Sequence, residues 1–141
     1  ASLVADTRGA VWNFPAMKKG TFTVSLRIPE GSHSVSLLLN DRWMNPSDTV
    51  ARYQSMYELP LTRKQLGVQD DRWHEVSLEW DLLQKRPQAR VRVDGRLRPL
   101  RLPLKNKSQN GISYVHFIAP PAEANPGVYL EWVRAEADGA I

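Results

Sequence analysis

The stretch from Trp73 to Gly95 constrains this chain most. Between Trp73 and Asp81 the residues alternate, with His74, Val76, Leu78 and Trp80 on one side and Trp73, Glu75, Ser77 and Glu79 on the other. That is the period of a strand, whose successive side chains point to opposite faces. After a short polar crossing the alternation resumes, with Val91 and Val93 sharing one face and Arg90 and Arg92 the other. Asp94-Gly95 then supplies two residues that tolerate positive φ, as a tight type I′ hairpin requires. Antiparallel strands joined by tight turns are the natural reading of such a segment, and the rest of the chain has to cover their apolar face.

Other strands follow from the same pattern. Residues up to Ala10 show no period and read as a lead-in, Val11 to Phe14 as a short edge strand stopped by Pro15, and Lys18-Lys19-Gly20 as a turn. From Thr21 to Ile28 the alternation is cleanest, with Phe22, Val24, Leu26 and Ile28 facing one way. Pro29-Glu30-Gly31-Ser32 is turn chemistry, and Val35, Leu37 and Leu39 form the apolar face of the next strand, with Leu38 an exception on the other side. Asn40 to Asp48 is a polar and aromatic loop. Arg52 to Leu59 reads as extended, with Tyr53 and Tyr57 on one side, and Pro60 to Asp71 has room for one helical turn.

Further on, Leu97 and then Leu100, Leu102 and Leu104 change phase across Pro99, which predicts a bulge or a strand break. Ile112 to Ala119 is a strand with Tyr114 and His116 on one face and Val115 and Phe117 on the other. Val128 to Ala135 is the last strand, and residues 137–141 read as a tail or linker stub. Short strands separated by turns, with ten prolines, eight glycines and no amphipathic helix, predict an all-β, antiparallel two-sheet sandwich. At 141 residues the chain reads as a single domain, 1–141.

Composition removes several functions. There is no cysteine, which excludes disulfides, thiolate chemistry and cysteine-ligated zinc. No apolar run approaches a membrane span, and Ala1 does not open a basic segment leading into an apolar one. The chain is therefore read either as a domain whose signal has been removed or as part of a longer protein. Asn106-Lys107-Ser108 is a glycosylation sequon of the kind that occurs by chance. Net charge is +4, yet residues 84–107 carry nine Lys and Arg against Asp94 alone, a ribbon of +8 on a body of −4. Such a ribbon attracts anions, although an arginine-rich strand face is also an ordinary solvated surface.

The Trp73-His74-Glu75-Val76 strand, the Val93-Asp94-Gly95 hairpin, and the segments Gly111 to Phe117 and Gly127 to Val133 resemble the concanavalin A-like jelly rolls, the lectin/glucanase and laminin-G-like modules. Val11-Trp12-Asn13-Phe14-Pro15 with Asp41-Arg42-Trp43-Met44-Asn45-Pro46 resembles accessory domains of bacterial sialidase-like, glycan-degrading proteins. The resemblance implies a secreted, periplasmic or cell-surface module attached to a neighbouring domain. It also makes calcium the one ion to consider, with Asp48 and Asp70-Asp71 the acidic groups in suitable loops; the spaced Asp/Asn set of a dedicated calcium loop is missing, so no cofactor is the first expectation.

Because glucanases share this fold, catalysis has to be weighed. Glycoside hydrolysis takes two carboxylates roughly 5 to 9.5 Å apart. Glu75 and Glu79 share a strand face but lie roughly 13 Å apart at about 3.3 Å per residue. No Glu-x-Asp-x-x-Glu signature, nucleophile elbow, phosphate loop or paired-histidine motif occurs. Of the three histidines, His33 falls in a turn and His74 points to the core beside Val76 and Leu78. The expectation is a non-catalytic module.

Sugar binding needs fewer parts, namely an aromatic platform for a pyranose C–H face and polar groups that meet its hydroxyls. The loop Asn40 to Asp48 carries these in Asp41, Arg42, Trp43, Asn45 and Asp48, with Tyr53, Tyr57, Tyr114 and His116 as neighbours on a sheet face, a place in the core being the alternative for each tyrosine. A second reading has Trp43 plug the end of the sandwich while Asp41 caps a turn. Trp12, Trp80 and Trp132 read as core, and Trp73 as undecided between surface and interface. The +8 ribbon adds Arg90 and Arg92, with Arg98, as contacts for an anionic glycan. The expected partner is thus carbohydrate, and the alternatives are a structural module packed on a catalytic domain or a jelly-roll glycoside hydrolase. Nucleic acid is not expected, since residues 84–107 lack the aromatics that strand binders interleave with basic groups.

Overall fold

The computed structural model describes residues 2–3, 9–45, 51–119 and 127–137. The strands are β1 (Ser2–Leu3), β2 (Gly9–Met17), β3 (Lys19–Arg27), β4 (Ser36–Asn40), β5 (Tyr57–Pro60), β6 (His74–Asp81), β7 (Gln88–Val93), β8 (Arg96–Pro103), β9 (Ile112–Ile118) and β10 (Val128–Ala137). Two single-turn helices, α1 (Ala51–Gln54) and α2 (Arg63–Leu66), flank β5. Among the described residues the strand pairings are all antiparallel, in a six-stranded sheet of order β1-β10-β3-β6-β7-β8 and a four-stranded sheet of order β2-β9-β4-β5. This is a two-sheet jelly-roll sandwich.

The core fills the space between the sheets. Phe22, Val24 and Leu26 from β3 and Val76, Leu78 and Trp80 from β6 meet Leu37, Leu39, Tyr57, Leu59, Val115 and Phe117 from the other sheet, all buried. These are the alternating positions of each strand, because only one face of a pleated strand points inward. Trp80 satisfies its indole by donating Nε1–H to the Met17 carbonyl at 3.0 Å, which ties β6 to the end of β2. A buried tryptophan needs such a partner.

The predicted hairpin forms as expected, with Asp94 at φ 51° and Gly95 at φ 80°. The phase change at Pro99 is a bulge: Arg90 pairs with Arg101 and Arg92 with Leu97, so β8 carries extra residues between the two pairs. Four expectations need correction. Pro15 does not stop β2, which runs on to Met17 after a register shift beyond Asn13; β2 is an edge strand, where a missing N–H is tolerated. The Arg52 to Leu59 segment is not one extended run, because α1 precedes β5, leaving Tyr53 exposed and Tyr57 in the core. Trp132 is not core: the β10 register slips between Leu130 and Trp132, which sets Trp132 opposite Ser25 on the outer face. The lead-in is also shorter than read, since Ser2–Leu3 pair with β10 and β2 begins at Gly9.

The core position expected for His74 is corrected as well. It shares the face of Val76 and Leu78 but lies beyond the apolar core, at the rim, where Nδ1 is 2.7 Å from Asp94 Oδ2 and Nε2 is 2.7 Å from Asp70 Oδ1. A ring whose two nitrogens both face carboxylates carries two protons.

Candidate functional site: a rim loop over the four-stranded sheet

Alternation puts Ser36, Leu38 and Asn40 of β4 and Tyr114 and His116 of β9 on the outer face of the four-stranded sheet. Pairing then sets Leu38 opposite His116 and Asn40 opposite Tyr114. An outer face is ordinarily wet, yet Leu38, Asn40 and His116 are fully buried. The cover includes the loop after β4. Met44, buried, donates its N–H to His116 Nε2 at 2.9 Å, and the Asn40 amide lies 2.9 Å from His116 Nδ1.

Nε2 accepts from Met44, so a neutral ring keeps its proton on Nδ1 and calls for the oxygen end of the Asn40 amide as its acceptor. The other end of that amide lies 3.3 Å from the Met56 nitrogen, whose N–H is also served by the Leu39 carbonyl at 3.0 Å. Burial pushes the His116 pKa down. A proton on Nε2 would also set one N–H against another. His116 is thus a neutral anchor for the loop and is closed to a ligand, contrary to its expected contact role.

Asp41 anchors the other end. Its carboxylate accepts from Arg42 Nε at 2.9 Å and Nη2 at 3.2 Å and from the Ser108 hydroxyl, while its carbonyl accepts from Ser113 Oγ at 3.3 Å. The Arg42 guanidinium beside it outweighs burial and holds its carboxyl below the usual aspartate range. Asn106, in the same segment as Ser108, donates Nδ2 protons to the carbonyls of Tyr53 and Ser55 at 2.8 and 2.7 Å. The sequon asparagine therefore splices the α1 turn to the segment that holds Asp41.

Anchored in this way, the loop presents Trp43, 57% exposed, with Arg42 and Asn45 also exposed beside it. Trp43 does not plug the sandwich. Tyr53 is 73% exposed on the spliced α1 turn, and Tyr114 is half-buried, its ring centroid 6.1 Å from that of His116. Asp48 lies outside the described residues. Among the described residues no group of three or more His, Asp or Glu side chains converges to hold a metal, and no helix is long and apolar enough to cross a membrane.

The expected arginine contacts are on the other side of the molecule. Arg90 and Arg92 project from β7 on the outer face of the six-stranded sheet, so no one small ligand reaches them and Trp43 together. Arg92 is already paired, its Nε 2.8 Å from Glu79 Oε2. That pairing also occupies one of the two carboxylates weighed for hydrolysis. Asn40 reads from the sequence as the first residue of the loop and is instead the last of β4, and the support from Ser108, Ser113 and Asn106 has no local sequence signal, since these contacts cross the fold.

No family model matches the sequence, and no curated protein matches it. Solved structures do. A tetrameric galectin from the ball sponge Cinachyrella sp. superposes with a TM-score of 0.59 at 13% identity, over 91% of this chain and 99% of the galectin. A sialidase superposes with a TM-score of 0.62 at 10% identity, over 93% of this chain but 14% of the sialidase. The β-fructofuranosidase of Schwanniomyces occidentalis does so at 0.55 and 12%, over 96% of this chain and 31% of that enzyme. The chain thus spans nearly the whole of the galectin and a minor part of each of the two larger proteins. With the two antiparallel sheets in their observed order, these similarities give the chain the concanavalin A-like jelly-roll fold of the lectin/glucanase type.

Proposed function

We propose that this chain is a non-catalytic carbohydrate-recognition module, an accessory domain of a secreted glycan-processing protein. The observation that carries the reading is the exposed Trp43 on a loop fixed on either side of it, by the part-buried contacts of Asp41 and by the buried Met44–His116 hydrogen bond. A preformed aromatic platform binds a sugar face with little ordering cost, and Arg42 and Asn45 beside it supply donors and acceptors for the hydroxyls. Tyr53 and Tyr114 extend the same side. The superposition on a galectin and on parts of a sialidase and a fructofuranosidase supports the ligand class. Their minor coverage supports the accessory role.

A glycan array probed with the wild-type chain and Trp43→Ala tests this. The expected result is binding by the wild type that Trp43→Ala loses with its fold intact, and that a chelator leaves unchanged. A folded wild type that binds no glycan overturns the reading. A second reading, a packing module, rests on the outer face of the six-stranded sheet, where Trp73 is 43% exposed and Arg27 lies between the rings of Trp73 and Tyr129 at 5.8 and 4.8 Å. It predicts tight association with a neighbouring domain that Trp73→Ala weakens.

A further inference from the structure

On the outer face of the six-stranded sheet, Arg90 and Arg101 stand directly opposite each other on neighbouring strands. Like charges in that relation repel and destabilise a sheet. Among the described residues the relief is partial: Glu79, opposite Arg90 on the other flank, shares its single negative charge with Arg92, whose Nε lies 2.8 Å from Glu79 Oε2. Beyond Arg101 the sheet ends, because β8 is its edge strand, and β8 itself contains no acidic residue. Arg101 Nη1 reaches only the carbonyls of Arg98 and Leu100, both at 3.4 Å. Both arginines are exposed, and the turn from β6 to β7, at the same end of the strands, adds the exposed Lys85 and Arg86.

From this geometry we infer a second binding surface, for an acidic polysaccharide, on the β7–β8 face and centred on Arg90 and Arg101. It rests on the carbohydrate reading above for its ligand class but not on the rim loop. Two guanidinium forks side by side match the planar or trigonal oxygens of carboxylates and sulfates. The face is an open strand surface, which suits a chain of repeated anions better than one enclosed anion. Nucleic acid would present the same charge, but residues 84–107 hold no aromatic side chain on which a base could stack. The bulge at Pro99 is part of the device: it brings Arg101 opposite Arg90, whereas a regular register would place Pro99 there.

Heparin affinity chromatography of the full chain in a sodium chloride gradient tests the inference. Arg90→Gln/Arg101→Gln is compared with Lys64→Gln/Lys107→Gln, which removes the same charge from exposed positions on α2 and on the segment after β8, and with Trp43→Ala. The expected result is retention of the wild type at about 0.1 M salt, where surface charges still act over roughly 10 Å. The arginine pair variant loses affinity by about tenfold or more, as for two lost charge-assisted contacts, Arg90→Lys/Arg101→Lys falls between, and the lysine control and Trp43→Ala elute with the wild type. Failure of the wild type to bind, or an equal loss in the two charge-matched variants, overturns the inference. So does tighter binding of a single-stranded oligonucleotide than of heparin. Loss of array binding by Trp43→Ala with heparin retention unchanged shows the two surfaces to be separate, and a wild type that binds heparin but no array glycan through Trp43 removes the rim-loop site alone.

Discussion

Asp94, in the turn between β7 and β8, holds His74 on the neighbouring strand β6: its Oδ2 lies 2.7 Å from His74 Nδ1, while its Oδ1 accepts the Glu75 N–H at 2.9 Å. Asp70, on the segment leading into β6, grips the other ring nitrogen at 2.7 Å and also accepts the Arg72 N–H at 3.1 Å. One protonated ring therefore fastens the approach to β6 to the β7–β8 turn.

Burial alone would lower the His74 pKa, but the two carboxylates raise it above the usual histidine value, and His74 in turn lowers that of Asp70. Stabilisation through a raised base is complete below about pH 6.5 and is lost as pH rises through the folded value; that through Asp70 is present above its ordinary pKa and is lost in acid. His74→Gln is expected to lower Tm most near pH 5 to 6 and progressively less at alkaline pH. Melting curves of the two proteins across pH 4 to 9 check this, and a constant difference would rule out the ion-paired clamp.

His116 works in the opposite sense. Its folded pKa is lowered, so its contribution is present above about pH 6.5 and is lost as pH falls toward the folded value. His116→Ala leaves the Met44 N–H and the Asn40 amide buried without their partner, at a cost of about 3 kcal/mol from the usual 1–3 per group. Chemical denaturation measures that loss. Release of the rim loop is the second expected effect, seen as faster amide exchange at Met44 and a shift in Trp43 fluorescence.

Tyr57 is buried in the core, and its hydroxyl has no hydrogen-bond partner among the described residues. Burial, aided by Asp81, pushes its pKa up to about 12. Tyr57→Phe removes an uncompensated polar group while keeping the ring, so stability should rise by roughly 1 kcal/mol. Ultraviolet titration should show one fewer tyrosine with a strongly raised pKa. A loss of stability on this substitution would mean that the hydroxyl is satisfied.

Gly111 lies against the backbone of Met17 where β9 begins beside the end of β2. A Cβ there would come within 2.6 Å of Met17 N and C and 2.8 Å of its carbonyl oxygen. Backbone atoms of a paired strand cannot move aside as a flexible side chain can. Gly111→Ala should therefore cost on the order of 2 kcal/mol as overpacking, read from the denaturation midpoint. An unchanged midpoint would show that β2 separates from β9 at little cost.

Local sequence determined the strands, the Asp94-Gly95 turn, the bulge at Pro99 and the inward set of apolar residues, because alternation and turn chemistry act within a few residues. It also singled out the loop that carries Trp43. It misread Pro15 and Trp132, where edge position and a register slip override the local pattern, it missed β1 and the α1 turn before β5, and it placed His74 in the core because alternation specifies a face but not how far the core extends. Only the tertiary structure decided that His116 anchors the loop and is closed to a ligand, that Asn106 and Ser108 brace it, and that Arg90 and Arg92 face away from Trp43. Each depends on which strands pair and which sheet a strand joins, so the contacts join residues distant in the chain and leave no periodic trace in it.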